Sequence, residues 1–234
     1  MTNEEIRRNV AYVKEEIRRA ALDAGRNPEE ILLVAATKTN NAERVRAAVE
    51  AGVDICGENR VQEMLEKNAQ GAYVGVPLHF IGHLQKNKVK HVVGLCQLIH
   101  SVDSLPLLQE ISRIAEKRGL CQDVLLEVNI GDEDSKSGFF PSEVASVLSE
   151  ASLLPAVHVR GLMAIPPICM KPEENRPFFL QMQKLFIDNS GKKYDNVRMD
   201  FLSMGMSADY TEAVRCGATL VRVGSGIFGP RNYT

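Results

Sequence analysis

The chain has 234 residues, 44% of them hydrophobic and 25% charged, with a formal charge of −2. That composition suits a water-soluble globular protein with enough length for a full core, and it gives no net electrostatic reason to bind nucleic acid or an acidic membrane. No apolar run approaches the ~20 residues of a membrane span, and the opening MTNEEIRRN lacks the apolar core of a signal peptide, so a cytoplasmic location is expected.

In chain order, Thr2 and Glu5 form a capping box ahead of Ile6, Val10, Val13, Ile17 and Ala21, whose spacing predicts a long amphipathic first helix ended by Gly25. Residues 31–39 follow as a strand that is apolar on both faces, as a parallel strand buried under helices requires. Asn40 or Asn41 caps the next helix, which Gly52 ends. The same rhythm then repeats, with strands over 53–59, 78–83, 98–102, 124–129, 157–165, 199–204 and 220–224. Helices over 60–68, 84–93, about 105–118 (capped by Ser104, with Pro106 in its first turn), 141–152, 177–188 and 207–215 lie between them.

Eight strands alternating with helices over short connections predict a single-domain (β/α)8 TIM barrel across 1–234, with an extra N-terminal helix. An open nucleotide-binding sheet would carry a GxGxxG turn after its first strand, but that strand ends TKTNN. In the barrel, the strand ends Lys38, Asn59, His83, Asp103, Asn129, Met163 and Arg222 are expected to face one rim.

Three features point to chemistry at that rim. Lys38 ends a buried strand, where an ammonium either snorkels to solvent or serves as an imine-forming amine. Ser207 stands between a strand and a helix, as an N-cap beside backbone amides, and Gly224-Ser225-Gly226 is a small-residue turn after the last strand. Both turns suit an anion, and the loops after strands seven and eight are the usual phosphate site of this barrel. Arg222 alternates with Val221 and Val223 and therefore points inward, where a guanidinium needs a partner or a ligand. An amine, a two-turn anion cradle and an inward arginine together make the profile of a pyridoxal 5'-phosphate site.

The stretches VAATKT, CGENRVQE, HFIGHLQKNKVK, HSVDS, EVNIGDEDSKSGF, RGLMAIPP and LSMGMSADYTEAVRCGATLVRVGSGIFG resemble the pyridoxal phosphate homeostasis proteins of the YggS type, over almost the whole chain. The resemblance implies a barrel like the N-terminal domain of alanine racemase and a function in vitamin B6 homeostasis without catalytic turnover. It further implies that Lys38 carries the cofactor as an internal aldimine, that Ser207 with the amides of Gly224 and Ser225 holds its phosphate, that Arg222 lies at the pyridine nitrogen, and that Asn59 and Met204 line the pocket. Ser225 and Gly226 depart from the threonine and alanine common among relatives, a change that keeps the turn amides. The implied partners are amino acids and apoenzymes that require the cofactor, with a monomer expected and a dimer as the alternative.

The competing reading is an enzyme, either an amino-acid racemase or a Schiff-base lyase. A racemase needs a second acid/base group opposite the lysine, and His83 is the best remaining candidate, since Tyr12, Tyr73, Tyr194, Tyr210 and Tyr233 fall in expected loops or helices. An interaction surface at Lys86, Lys88, Lys90 and His91 is a third reading, set against an ordinary solvated helix face. Asp132, Glu133 and Asp134, ahead of Lys136, are expected to solvate a loop, without the ligand pattern of a calcium site. Five widely spaced cysteines (Cys56, Cys96, Cys121, Cys169 and Cys216) without a CxxC pair suggest neither disulfides nor zinc.

Overall fold

The structure is a computed structural model that describes residues 1–133, 137–167, 169–192 and 194–230. Its strands are β1 (Leu32–Ala36), β2 (Ile55–Glu58), β3 (Leu78–Phe80), β4 (Leu98–Val102), β5 (Gln122–Val128), β6 (Val157–Ala164), β7 (Val197–Met206) and β8 (Leu220–Val223). They pair in parallel and in sequence order, and β8 closes on β1. The helices are α1 (Asn3–Asp23), α2 (Ala42–Glu50), α3 (Val61–Ala69), α4 (Val89–Val92), α5 (Leu105–Lys117), α6 (Val144–Ala151), α7 (Arg176–Ser190), α8 (Tyr210–Arg215) and α9 (Ser225–Phe228). This is the expected (β/α)8 barrel with its extra first helix.

The capping box of α1 forms as the sequence predicts: the Thr2 amide donates to Glu5 Oε2 at 2.7 Å, and the Glu5 amide donates to Thr2 Oγ1 at 3.2 Å. The apolar stripe of α1 packs on α2, α8 and α9, and Asn9 Nδ2 donates to the Ile227 carbonyl at 3.0 Å. The first helix thereby braces the turn that follows the last strand. The two candidate caps of α2 divide their work, since Asn41 Oδ1 accepts from the Arg44 amide while Asn40 Nδ2 turns back to the Lys38 carbonyl.

Inside the barrel, Val34, Ile55, Leu98, Leu125, Met163 and Leu220 form a compact apolar floor. Leu33, Ala35, Val221 and Val223 face the opposite way, into the layer between sheet and helices. Strand alternation therefore aims residues 34, 36 and 38 of the first strand and its extension inward, together with Leu220 and Arg222 of the last.

Several boundaries differ from expectation. β3 stops at Phe80 because Gly82 runs against Asn59, where a Cβ would stand 2.2 Å from the Asn59 carbonyl oxygen. The helix expected over 84–93 shrinks to a 3-10 turn, Lys86–Lys88, and the single turn α4 before Gly94, which takes a φ of 77°. β7 runs from Val197 to Met206, longer than expected, and absorbs register shifts against both neighbours. No helix among the described residues is long and apolar enough to cross a membrane.

Candidate functional site

A cavity of about 540 Å³ opens at the C-terminal ends of β1 and β8, and its lining includes Lys38, Asn40, Arg44, Gly224, Ser225 and Phe228. The register explains why these residues meet. Val34 pairs with Arg222 and Ala35 with Val223, so Lys38 and the Gly224 turn emerge side by side from neighbouring strands. Lys38 is half-buried there.

Ser207 comes to the same turn from β7. Its hydroxyl oxygen accepts from the amides of Gly224 at 3.0 Å and Gly226 at 3.3 Å. It is not an N-cap, because α8 begins only at Tyr210 and Asp209 takes the cap position, with Asp209 Oδ1 accepting from the Met206 amide. Two amides converging on one oxygen are the arrangement a phosphate oxygen requires.

Arg222 is buried on the inner face, below the cavity. Its Nη1 donates to Ser203 Oγ at 2.6 Å and its Nη2 to the Ala164 carbonyl at 3.0 Å. Among the described residues no carboxylate lies within ion-pair distance of it. Burial draws its pKa down to about 10, partly offset by the more distant Glu127 and Asp209, so it stays a cation at neutral pH.

Ser203 begins a line of hydrogen bonds that crosses the barrel. Ser203 Oγ lies 3.0 Å from His100 Nδ1, and His100 Nε2 lies 2.9 Å from His79 Nδ1. A guanidinium can only donate, which makes Ser203 Oγ an acceptor toward Arg222. With the Ser203 hydrogen directed at His100 Nδ1, His100 carries its proton on Nε2 and donates to His79 Nδ1. Both rings must be neutral to play these parts. Burial holds His79 down to about 4, and burial, His79 and Arg222 hold His100 well below the ordinary imidazole range.

Other residues named from the sequence take different places. Asn59 lies at the end of β2, and its Oδ1 is buried without a hydrogen-bond partner among the described residues, so it is an acceptor available to a donor. Met204 does not line the cavity: on β7 it is Phe201 and Ser203 that face inward, and the Met204 side chain is buried between sheet and helices. His83 is largely exposed, with Nδ1 3.1 Å from Asp103 Oδ2. Met163 and Arg222 lie within the interior and not on the rim. Lys86, Lys88, Lys90 and His91 are solvent-exposed. Asp134, Lys136 and Tyr233 lie outside the described residues. Among the described residues no group of His, Cys, Asp and Glu side chains is placed to hold a metal ion.

Sequence reasoning missed His79, His100 and Ser203. The signal was present in LIHSV, where His100 shares the parity of inward Leu98, and a polar residue at an inward barrel position needs a partner. Glu127, which shares the parity of inward Leu125, was missed for the same reason. Burial and the neighbouring Asp103 push its pKa up to about 7, against the pull of Arg222.

An inward lysine after β1, an amide turn after β8 and a buried arginine between them define a barrel of the alanine racemase N-terminal type, and residues 4–232 match the family described as "Alanine racemase, N-terminal domain". An alanine racemase from Clostridium difficile shares the fold at a TM-score of 0.71 and 16% identity, with 95% of this chain covering 57% of that one. Within this class, the chain belongs to the pyridoxal phosphate homeostasis protein family. It is 42% identical over 224 residues to the member from Aquifex aeolicus, covering 96% of this chain and 97% of the relative. PipY of Synechococcus elongatus, solved with PLP bound, superposes at a TM-score of 0.78 with 33% identity, covering 92% of this chain and 100% of that chain.

Proposed function

We propose that this protein binds pyridoxal 5'-phosphate as a Schiff base on Lys38 and acts as a cytoplasmic holder of the cofactor, buffering the pool and releasing it to apoenzymes or amino acids, without turning over a substrate. The observation that carries this reading is the placement of Lys38 beside the Gly224–Gly226 turn in one cavity, with Arg222 beneath. The residues fit the group. Ser207 and the amides of Gly224 and Ser225 suit the phosphate, the Gly224 amide exchanging Ser207 Oγ for a phosphate oxygen, and the Asn59 Oδ1 acceptor suits a hydroxyl. The likeness to PipY, which is solved with PLP bound, supports the same choice.

Bound pyridoxal phosphate supplies an aldehyde for imine formation and a ring able to stabilise a carbanion. Imine formation consumes the aldehyde and the Lys38 amine and releases one water, so it reverses without any other reagent. Arg222 argues for holding over turnover: a guanidinium that stays protonated has no lone pair to accept a hydrogen bond from a pyridinium and disfavours one beside it, which weakens the ring as an electron sink. None of the described tyrosines lines the cavity as a second acid/base group. A racemase or lyase would instead need His83 or Glu127 to serve that role.

Borohydride reduction followed by peptide mass mapping tests the assignment. The reduced adduct is expected on Lys38, and Lys38→Ala is expected to carry none. An adduct that persists in the variant overturns the attachment point. Racemisation or transamination of common amino acids by the purified chain overturns the non-catalytic reading.

A further inference from the structure

Behind the cavity, between β1, β2 and α3, lies a second buried polar cluster. The Lys67 ammonium, on α3, donates to Glu58 Oε1 at 2.6 Å and stands 3.4 Å from Glu63 Oε2. Glu58 Oε1 also accepts from Tyr73 Oη at 3.0 Å and from the Thr37 hydroxyl. Glu58 and Lys67 are both buried. A buried ion pair by itself is an ordinary core feature, and replacing one with apolar residues is often neutral.

What sets this cluster apart is where its remaining bonds go. Lys67 Nζ donates to the Thr37 carbonyl at 2.8 Å, and Glu63 Oε2 accepts from the Thr39 amide at 2.7 Å. The Thr37 carbonyl belongs to the peptide plane before Lys38, and the Thr39 amide to the plane after it. A trans peptide is rigid, so anchoring both planes fixes the two backbone dihedrals between them and with them the direction of the Lys38 Cα–Cβ bond. The Lys38 carbonyl is held as well, by Thr39 Oγ1 at 2.6 Å and Asn40 Nδ2 at 3.0 Å. Thr39 adopts a φ of 63°, an unfavourable conformation for a β-branched residue that persists only where its surroundings impose it.

We propose that Lys67, with Glu58 and Glu63, is a positioning residue for Lys38: it locks the backbone on both sides of that lysine so that the amine meets the cofactor aldehyde over the Gly224 turn. This rests on the reading of Lys38 as the attachment point. An amine on a flexible four-carbon stem loses less freedom on forming the imine when its root is already fixed, and that difference appears in the imine equilibrium.

The test pairs two measurements on the full chain: amide hydrogen exchange across residues 37–40 without cofactor, and the dissociation constant for pyridoxal 5'-phosphate from the visible absorbance of the imine. Because Lys67→Met alone strands the Glu58 charge, the informative variant is Glu58→Gln/Lys67→Met, which removes both charges together. With wild-type circular dichroism, it is expected to exchange the Thr39 amide at least about tenfold faster and to bind the cofactor about tenfold more weakly. Glu63→Ala, which removes the acceptor of the Thr39 amide, is expected to speed that exchange at least as much and to weaken cofactor binding to a smaller degree. Glu63→Gln, which keeps an oxygen to accept the Thr39 amide but loses the charge, is expected to restore wild-type behaviour. Folded variants that bind the cofactor as wild type does overturn the proposal and leave the cofactor reading standing. A wild-type chain that forms no imine overturns both.

Discussion

The Glu58–Lys67 cluster outside the barrel wall and the His79–His100–Ser203–Arg222 line inside it both place charge where water does not reach, yet they balance it differently. In the first, an ammonium and a carboxylate neutralise one another at 2.6 Å; the ammonium also holds the Thr37 carbonyl, and the carboxylate accepts from the Tyr73 and Thr37 hydroxyls. In the second, among the described residues, one guanidinium is met only by a hydroxyl, a carbonyl and, at longer range, Glu127 and Asp209. A charge cancelled by its neighbour can hold a loop and does little else. A charge answered by dipoles keeps its field, and a ligand arriving above it feels that field.

The sharpest way to break this comparison is to delete one charge from each cluster. Lys67→Ala leaves the Glu58 carboxylate buried without a counter-charge and is expected to cost ~3–5 kcal/mol in urea unfolding. Arg222→Met strands no carboxylate at contact distance and is expected to cost less than ~2 kcal/mol, or to be neutral. Equal losses would refute the distinction. An effect smaller than that of Lys67→Ala is expected from Ser203→Ala, which leaves Arg222 Nη1 and His100 Nδ1 each without that partner, at ~1–3 kcal/mol. Nitrogen NMR of the imidazoles is expected to show a single His100 tautomer in wild type and a loss of that preference in the variant.

The smallest expected effect is on pH dependence, and here two signs oppose. His79 is held at about 4 and His100 well below the usual range, while an unfolded imidazole titrates near ~6.5. Between those values the unfolded chain binds protons that the folded one refuses, so this contribution makes stability rise with pH. Glu127 titrates at about 7 when folded and near ~4.3 when unfolded, so the folded chain binds the extra proton and its contribution falls over nearly the same window. Glu127→Gln is expected to remove the opposing slope and steepen the loss of stability on acidification from pH ~7 to pH ~5 by up to about 2 kcal/mol. A flatter profile would place the Glu127 titration elsewhere.

The barrel was legible because strand and helix periods alternate from end to end, and the inward aim of Lys38 and Arg222 because parity alone decides the face of a strand. Met204 and Ser207 were misread for separate reasons. Met204 was named by resemblance alone, and β7 puts Phe201 and Ser203 on the inner face instead; the following helix starts at Tyr210, beyond the serine that would have capped it. Glu58 gave the same signal as Arg222, a charge in an apolar strand, but the chain offered no mark of its partner. Lys67 sits on a helix, where a lysine reads as solvated, and its burial follows only from how α3 lies against the barrel wall.

One consequence of the topology concerns assembly. Lys38 leaves the first strand of the barrel and the Gly224 turn leaves the last, and they become neighbours only when Val34 aligns with Arg222. A slip of one residue in that final pairing would reverse the faces and turn the amine toward the helices. A chain whose two ends have not yet met has every residue of the cradle and no cradle, so cofactor capture reports that the ring has shut and, by mass action, favours its staying shut.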